Sequence, residues 1–114
     1  MRLVVTGGRD YCETARIFAA LDELHARCPV SVLIEGEADG LDKRARTWAL
    51  RRGIQVEPYP AQWEMYGKAA GGIRNQQMID DGKPDYGMVF PGGRGTADMR
   101  RRLVASGIPF EEVR

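Results

Sequence analysis

Apolar positions along this chain alternate between a strand-like and a helix-like pattern from end to end. Leu3 to Thr6 is a continuous apolar run, as expected of a parallel strand buried on both faces. The turn Gly7-Gly8-Arg9-Asp10 follows, and then Ile17, Leu21, Leu24 and Cys28 recur at helical spacing, with Phe18 and Ala20 widening the face. Asp10 with Glu13 fits a variant capping box, and Pro29 marks the helix end. Val30 to Ile34 reads as a second strand, ending at Glu35-Gly36. Asp39 is placed to cap, and Asp42 to lie solvated on, a helix carrying Leu41, Ala45, Trp48 and Ala49 on one side, with Gly53 as its left-handed terminator. Ile54 to Val56 opens a third strand that Pro58 and Pro60 end. Gly67, Gly71 and Gly72 interrupt the next stretch, which predicts a short irregular or helical piece around Trp63 and a helix from about Gly72 to Asp80. Asp85 to Phe90 is the fourth strand, Ala97 to Ala105 a helix stopped by Gly107, and Ile108 to Val113 the last strand.

Strands alternating with helices in so short a chain imply βαβ units with right-handed crossovers. The expected class is α/β: one Rossmann-like three-layer domain over residues 1–114, with a parallel sheet of about five strands in the order 3-2-1-4-5. In such a sheet, ligands bind at the carboxyl ends of the strands, where the strand order reverses. Here that point lies between strands one and four. Strand one delivers Gly7, Gly8 and Arg9, and strand four delivers Pro91-Gly92-Gly93-Arg94-Gly95-Thr96. Strand two brings Glu35-Gly36 to the same edge.

A glycine-rich turn between a strand and a helix lets backbone N–H groups converge on a phosphate, with the helix N-terminus adding partial positive charge. Thr96 is the natural N-cap of the following helix. The common nucleotide motifs are absent. Gly93 to Asp98 has Asp where the dinucleotide fingerprint needs Gly or Ala, and Gly67-Lys68 is followed by Ala69, not Ser or Thr. Neither hydride transfer with a nicotinamide cofactor nor a P-loop nucleotidase is expected, and no cofactor is called for.

Composition narrows the partners further. With 43% hydrophobic and 29% charged residues over 114 positions, the chain has ordinary soluble composition. No apolar stretch approaches the roughly 20 residues that span a bilayer, and the first strand leaves no room for a signal peptide, so a cytoplasmic location is expected. A net charge of +1 gives no bulk electrostatic case for nucleic acid. Cys12 and Cys28 have neither metal-ligand nor redox-motif spacing; both are expected reduced, with one or both packed, and no metal site is expected. His25 reads as a surface residue, Trp48 as core, and the runs Arg51-Arg52 and Arg100-Arg101-Arg102 as solvated helix faces. Trp63 and Tyr66 sit where an aromatic could stack on a base, cover the cleft or simply pack.

With these residues placed, the chain resembles the SLOG superfamily, named for the Smf/DprA and LOG proteins, and within it the small YspA/YpsA-related branch. The matching stretches are Val5 to Tyr11, Glu35 to Asp42 with Trp48-Ala49, Ala61-Gln62-Trp63, Gly71 to Met78, and Phe90 to Asp98. The resemblance implies a Rossmann-like fold that binds a nucleotide or nucleotide-derived phosphorylated ligand at the PGGRGT loop. LOG-type enzymes cleave the N-glycosidic bond of nucleoside monophosphates with an Arg from an Arg-Lys pair and a Glu after the loop. Arg74 matches the Arg, Asn75 replaces the Lys, and the Glu position is Met99.

The leading expectation is therefore a binding module, sensing or sequestering its ligand. The alternative is a LOG-like hydrolase in which Glu35 or Asp98 replaces the missing Glu and acts with Arg74. Single-stranded DNA binding, as in DprA, ranks third. The ligand-binding set is Gly7, Gly8, Arg9, Glu35, Gly36, Arg74, Asn75, Pro91, Gly92, Gly93, Arg94, Gly95 and Thr96. Oligomeric state stays open, with a homodimer suggested by the uncovered edges of a small sheet and by the pairing of LOG-like relatives.

Overall fold

The computed structural model describes all 114 residues, Met1–Arg114. Strands β1 (Arg2–Thr6), β2 (Val32–Glu35), β3 (Gln55–Pro58), β4 (Tyr86–Val89) and β5 (Phe110–Glu112) form one sheet in the order β3-β2-β1-β4-β5. Every neighbouring pair is parallel. The α/β class and the strand order are those the alternating pattern predicts. The helices are α1 (Thr14–Arg27), α2 (Leu41–Arg51), α3 (Trp63–Tyr66), α4 (Ala70–Asp80) and α5 (Arg94–Ala105), with a 3-10 turn at Gly67–Ala69 joining α3 to α4.

Side chains alternate across a strand, so the central strand β1 feeds two cores. Leu3 and Val5 pack on one face with Ile17, Leu21 and Leu24 of α1 and with Leu41, Ala45 and Trp48 of α2. Val4 turns to the other face, where Met78 and Ile79 of α4 and Met99 and Leu103 of α5 close over it. Each such side chain removed from water contributes about 1.5–3 kcal/mol. These two layers hold α2 and α5 against opposite faces of the sheet. No helix is long and apolar enough to cross a membrane.

Local geometry departs from the sequence pattern at several helix ends. Asp10 and Glu13 form no capping box: α1 starts at Thr14, and Glu13 precedes it without a side-chain cap. The intervening residues are taken up by turns, with the Tyr11 N–H on the Gly8 carbonyl and the Thr14 N–H on the Cys12 carbonyl. Asp39 does not cap α2 either. Gly40 holds that position, and Asp39 pairs with Lys43 on the surface. Helix α5 begins at Arg94, three residues before Ala97, so Gly93 is its N-cap and Thr96 lies inside its first turn. Cys12 and Cys28 are both exposed, Cys28 because α1 ends one residue before it. His25 is no bystander: its Nδ1 accepts the Val30 N–H at 2.9 Å, and its ring meets Trp48 edge-on, closing the α1–β2 connection.

Candidate functional site

One backbone residue gathers the three loops at the carboxyl edge of the sheet. The Gly8 N–H donates to the Pro91 carbonyl at 2.8 Å, tying the β1 loop to the β4 loop. The Gly8 carbonyl accepts the Leu41 N–H at 3.2 Å, tying it to the start of α2. Two further glycines permit this closeness. Gly40 is left-handed at φ 73, and a Cβ there would sit 2.4 Å from the Gly8 oxygen. A Cβ on Gly92 would sit 2.1 Å from Thr96 Oγ1 and 2.7 Å from the Gly8 nitrogen.

Between these loops and α4 lies a cleft of about 1060 Å³. Gly7, Gly8, Arg9 and Asp10 form one wall and Gly93, Arg94, Gly95 and Thr96 the other, over a floor that includes Val5, Thr6 and Met78. Trp63, Lys68, Arg74 and Asn75 close the far side, and Asp98, Arg101 and Arg102 extend it along α5. The N–H groups of Arg94, Gly95 and Thr96, the first turn of α5, have no protein acceptor. They are the unpaired donors that every helix start leaves, and here they belong to residues that line the cleft.

The lining is cationic. Arg9, Lys68, Arg74, Arg94, Arg101 and Arg102 face only Asp10, Asp42 and Asp98. Arg101 and Arg102 pair with Asp98, whereas Arg9, Lys68 and Arg94 engage no carboxylate. Arg74 donates to the Gly36 carbonyl and to Asn75 Oδ1, and Asn75 passes the connection to Asp98 Oδ2 at 3.0 Å. Burial lowers the Arg74 pKa, and Asp42 nearby partly restores it. Partial burial opposes charge on Asp98, but hydrogen bonds from Arg102 and Asn75 together hold its pKa below the ordinary value. Asp98 is thus a strut between α4 and α5.

Ten of the residues singled out from sequence line the cleft: Gly7, Gly8, Arg9, Arg74, Asn75, Gly93, Arg94, Gly95, Thr96 and Asp98. Pro91, Gly92 and Gly36 do not line it; Pro91 and Gly92 are exposed and Gly36 is buried. Glu35 does not line it either and is fully buried, with Oε1 accepting the Glu37 N–H at 2.8 Å and Oε2 unpartnered. Burial raises its pKa to about 7 against that hydrogen bond, with Asp42 adding to the rise. Asp42, read from sequence as a solvated helix residue, is buried instead and accepts the Gly36 and Ala38 N–H groups on the cleft wall. Desolvation lifts its pKa to about 6 despite those bonds and the Arg74 charge. Its place three residues after Asp39 in the first turn of α2 was the available signal. Arg102 was also missed; it follows Asp98 by one helical turn. Met99 packs in the apolar layer under α5 at 0% exposure, so a glutamate at that position would face core and not cleft.

The family model YAcAr, described as the YspA, cpYpsA-related SLOG family, matches residues 1–66. A relative, the "Gene 61 protein" of Mycobacterium phage D29, is 37% identical over 116 residues, covering 95% of this chain and 92% of that protein. The first match takes in the β1 loop and the Glu35–Asp42 segment; the second extends over the PGGRGT loop as well.

Two outcomes follow from this packing. Gly92→Ala forces a methyl against Thr96 and the Gly8–Pro91 bond; it is expected to cost about 2 kcal/mol and lower Tm by roughly 10 °C. An unchanged melting curve would mean the loops are not held this tightly. For Glu35, a folded pKa near 7 against 4.5 unfolded makes its contribution complete below pH 4.5 and lost as pH rises through 7. Denaturant unfolding at pH 5 and pH 8 is expected to show wild type losing roughly 2 to 3 kcal/mol more than Glu35→Gln over that range. Parallel pH profiles would show that Glu35 is not titrating within the fold.

Proposed function

The chain belongs to the YspA, cpYpsA-related SLOG family, and from that membership and its cleft we propose that it binds the phosphate of a nucleotide or nucleotide-derived small ligand. The observation that carries this is the first turn of α5, whose Arg94, Gly95 and Thr96 N–H groups have no acceptor, in a cleft with three cations that pair with no carboxylate. A helix N-terminus holds an anion through exactly such donors and through its partial positive charge. Arg94 and Arg9 flank the position from opposite walls, and Lys68 adds charge from the far side.

Binding without turnover is the reading favoured here, as sensing or sequestration. Glu35 has no face on the cleft, Asp98 is committed to Asn75 and Arg102, and position 99 is core methionine. Hydrolysis of an N-glycosidic bond draws support from one group, Asp42, a cleft carboxyl lifted toward neutrality by burial.

Calorimetric titration with a panel of nucleoside mono- and diphosphates is expected to find at least one ligand with Kd below about 1 mM. Arg94→Ala should weaken it about 5- to 10-fold, and added salt should weaken it further. The same mixtures, analysed for free base, are expected to contain none. Absence of any ligand below that threshold would refute phosphate binding, and base release abolished by Asp42→Asn would replace binding with catalysis.

A further inference from the structure

We propose that the exposed indole of Trp63 is the platform on which the ligand's aromatic base stacks, so that the cleft selects a nucleotide over a sugar phosphate. This rests on the phosphate site at the start of α5. The chain's two tryptophans occupy opposite situations. Trp48 is fully buried in the α1–α2 core, and its Nε1 donates to Asp22 Oδ1 at 2.8 Å. Trp63 is 47% exposed and lines the cleft.

Packing does not account for Trp63. Helix α3, which carries it, contributes no buried residue. The ring tip lies near Gly71 at the start of α4, and a Cβ added there would meet it only at 3.5 Å, an ordinary contact distance, so Gly71 itself leaves the indole loosely packed. A large apolar ring thus lines the cleft with no apolar side chain of α3 buried beside it. The Arg9 guanidinium lies over the ring, 5.1 Å from its centroid. Arg9 pairs with no carboxylate, and a flat delocalised cation is a natural cover for an aromatic face.

A nucleobase is planar and polarisable in the same way, and stacking on an aromatic side chain tolerates any base. The base would take the indole face now under Arg9, and the displaced guanidinium would turn toward the phosphate that Arg94 approaches from the other wall. The cleft, at about 1060 Å³, has room for base and sugar as well as phosphate. The contact is with the π-face, so purines should outrank pyrimidines by stacking area alone.

The test compares AMP, UMP and ribose 5-phosphate by calorimetry on wild type, Trp63→Ala and Trp63→Phe, with intrinsic fluorescence read in parallel. Wild type is expected to bind AMP at least 10-fold more tightly than ribose 5-phosphate, with UMP between them. Trp63→Ala should weaken AMP roughly 10- to 100-fold while leaving ribose 5-phosphate and Tm unchanged; Trp63→Phe should keep most of the AMP affinity. AMP should quench wild-type fluorescence but not that of Trp63→Phe, whose remaining Trp48 is in the core. If ribose 5-phosphate binds as well as AMP, or Trp63→Ala keeps the AMP advantage, the base platform is overturned while the phosphate site stands. If neither ligand binds wild type, both fall together.

Discussion

Everything at the carboxyl edge of this sheet depends on the backbone of Gly8. Its N–H and its carbonyl are spent on Pro91 and Leu41, so three loops distant in sequence are locked to one residue. The tie is possible only because Gly40 and Gly92 leave room where side chains would collide. The β4 loop is tied to the β1 loop, α5 starts immediately after Gly93, and the residues of its first turn line the gap.

The cations then follow from where the helices start. Arg94 is the first residue of α5, and Arg101 and Arg102 come two turns later along the cleft. Asp98 and Asn75 join α5 to α4 and hold the far wall in place, while Arg74 reaches back to the Gly36 carbonyl. Among the carboxyls near this positive region, Asp42 and Glu35 are buried, and burial is the largest cause moving both toward neutrality. The result is a cleft whose cations exceed its carboxylates in number, with Asp98 tied to Asn75 and Arg102 and Asp42 to loop N–H groups. An anionic ligand would relieve this imbalance.

The architecture and the position of the cleft could be read from sequence because both depend on local pattern. Strand periodicity and loop glycines are signals carried within a few residues, and the switch point follows from strand order. Helix starts were less legible. Gly95 has poor helix propensity and Thr96 is a favoured cap, so local preference put the start of α5 after them; the Gly8–Pro91 tie, a contact between distant segments, moved it earlier. Asp42 was misread for a related reason: in the first turn of a helix a carboxylate can point outward or fold back onto loop N–H groups, and only the winding of Gly36 to Gly40 decides. Arg102 looked like part of a solvated arginine run until α5 had a defined orientation over the sheet.

The most direct measurement is an amide-resolved NMR titration with a nucleoside 5′-monophosphate. Saturable shifts centred on the N–H signals of Arg94, Gly95 and Thr96, extending to Gly7 and Gly8 across the cleft, are the predicted result. Saturable binding whose shifts spare the first turn of α5 would contradict the account, because the phosphate would then be held elsewhere.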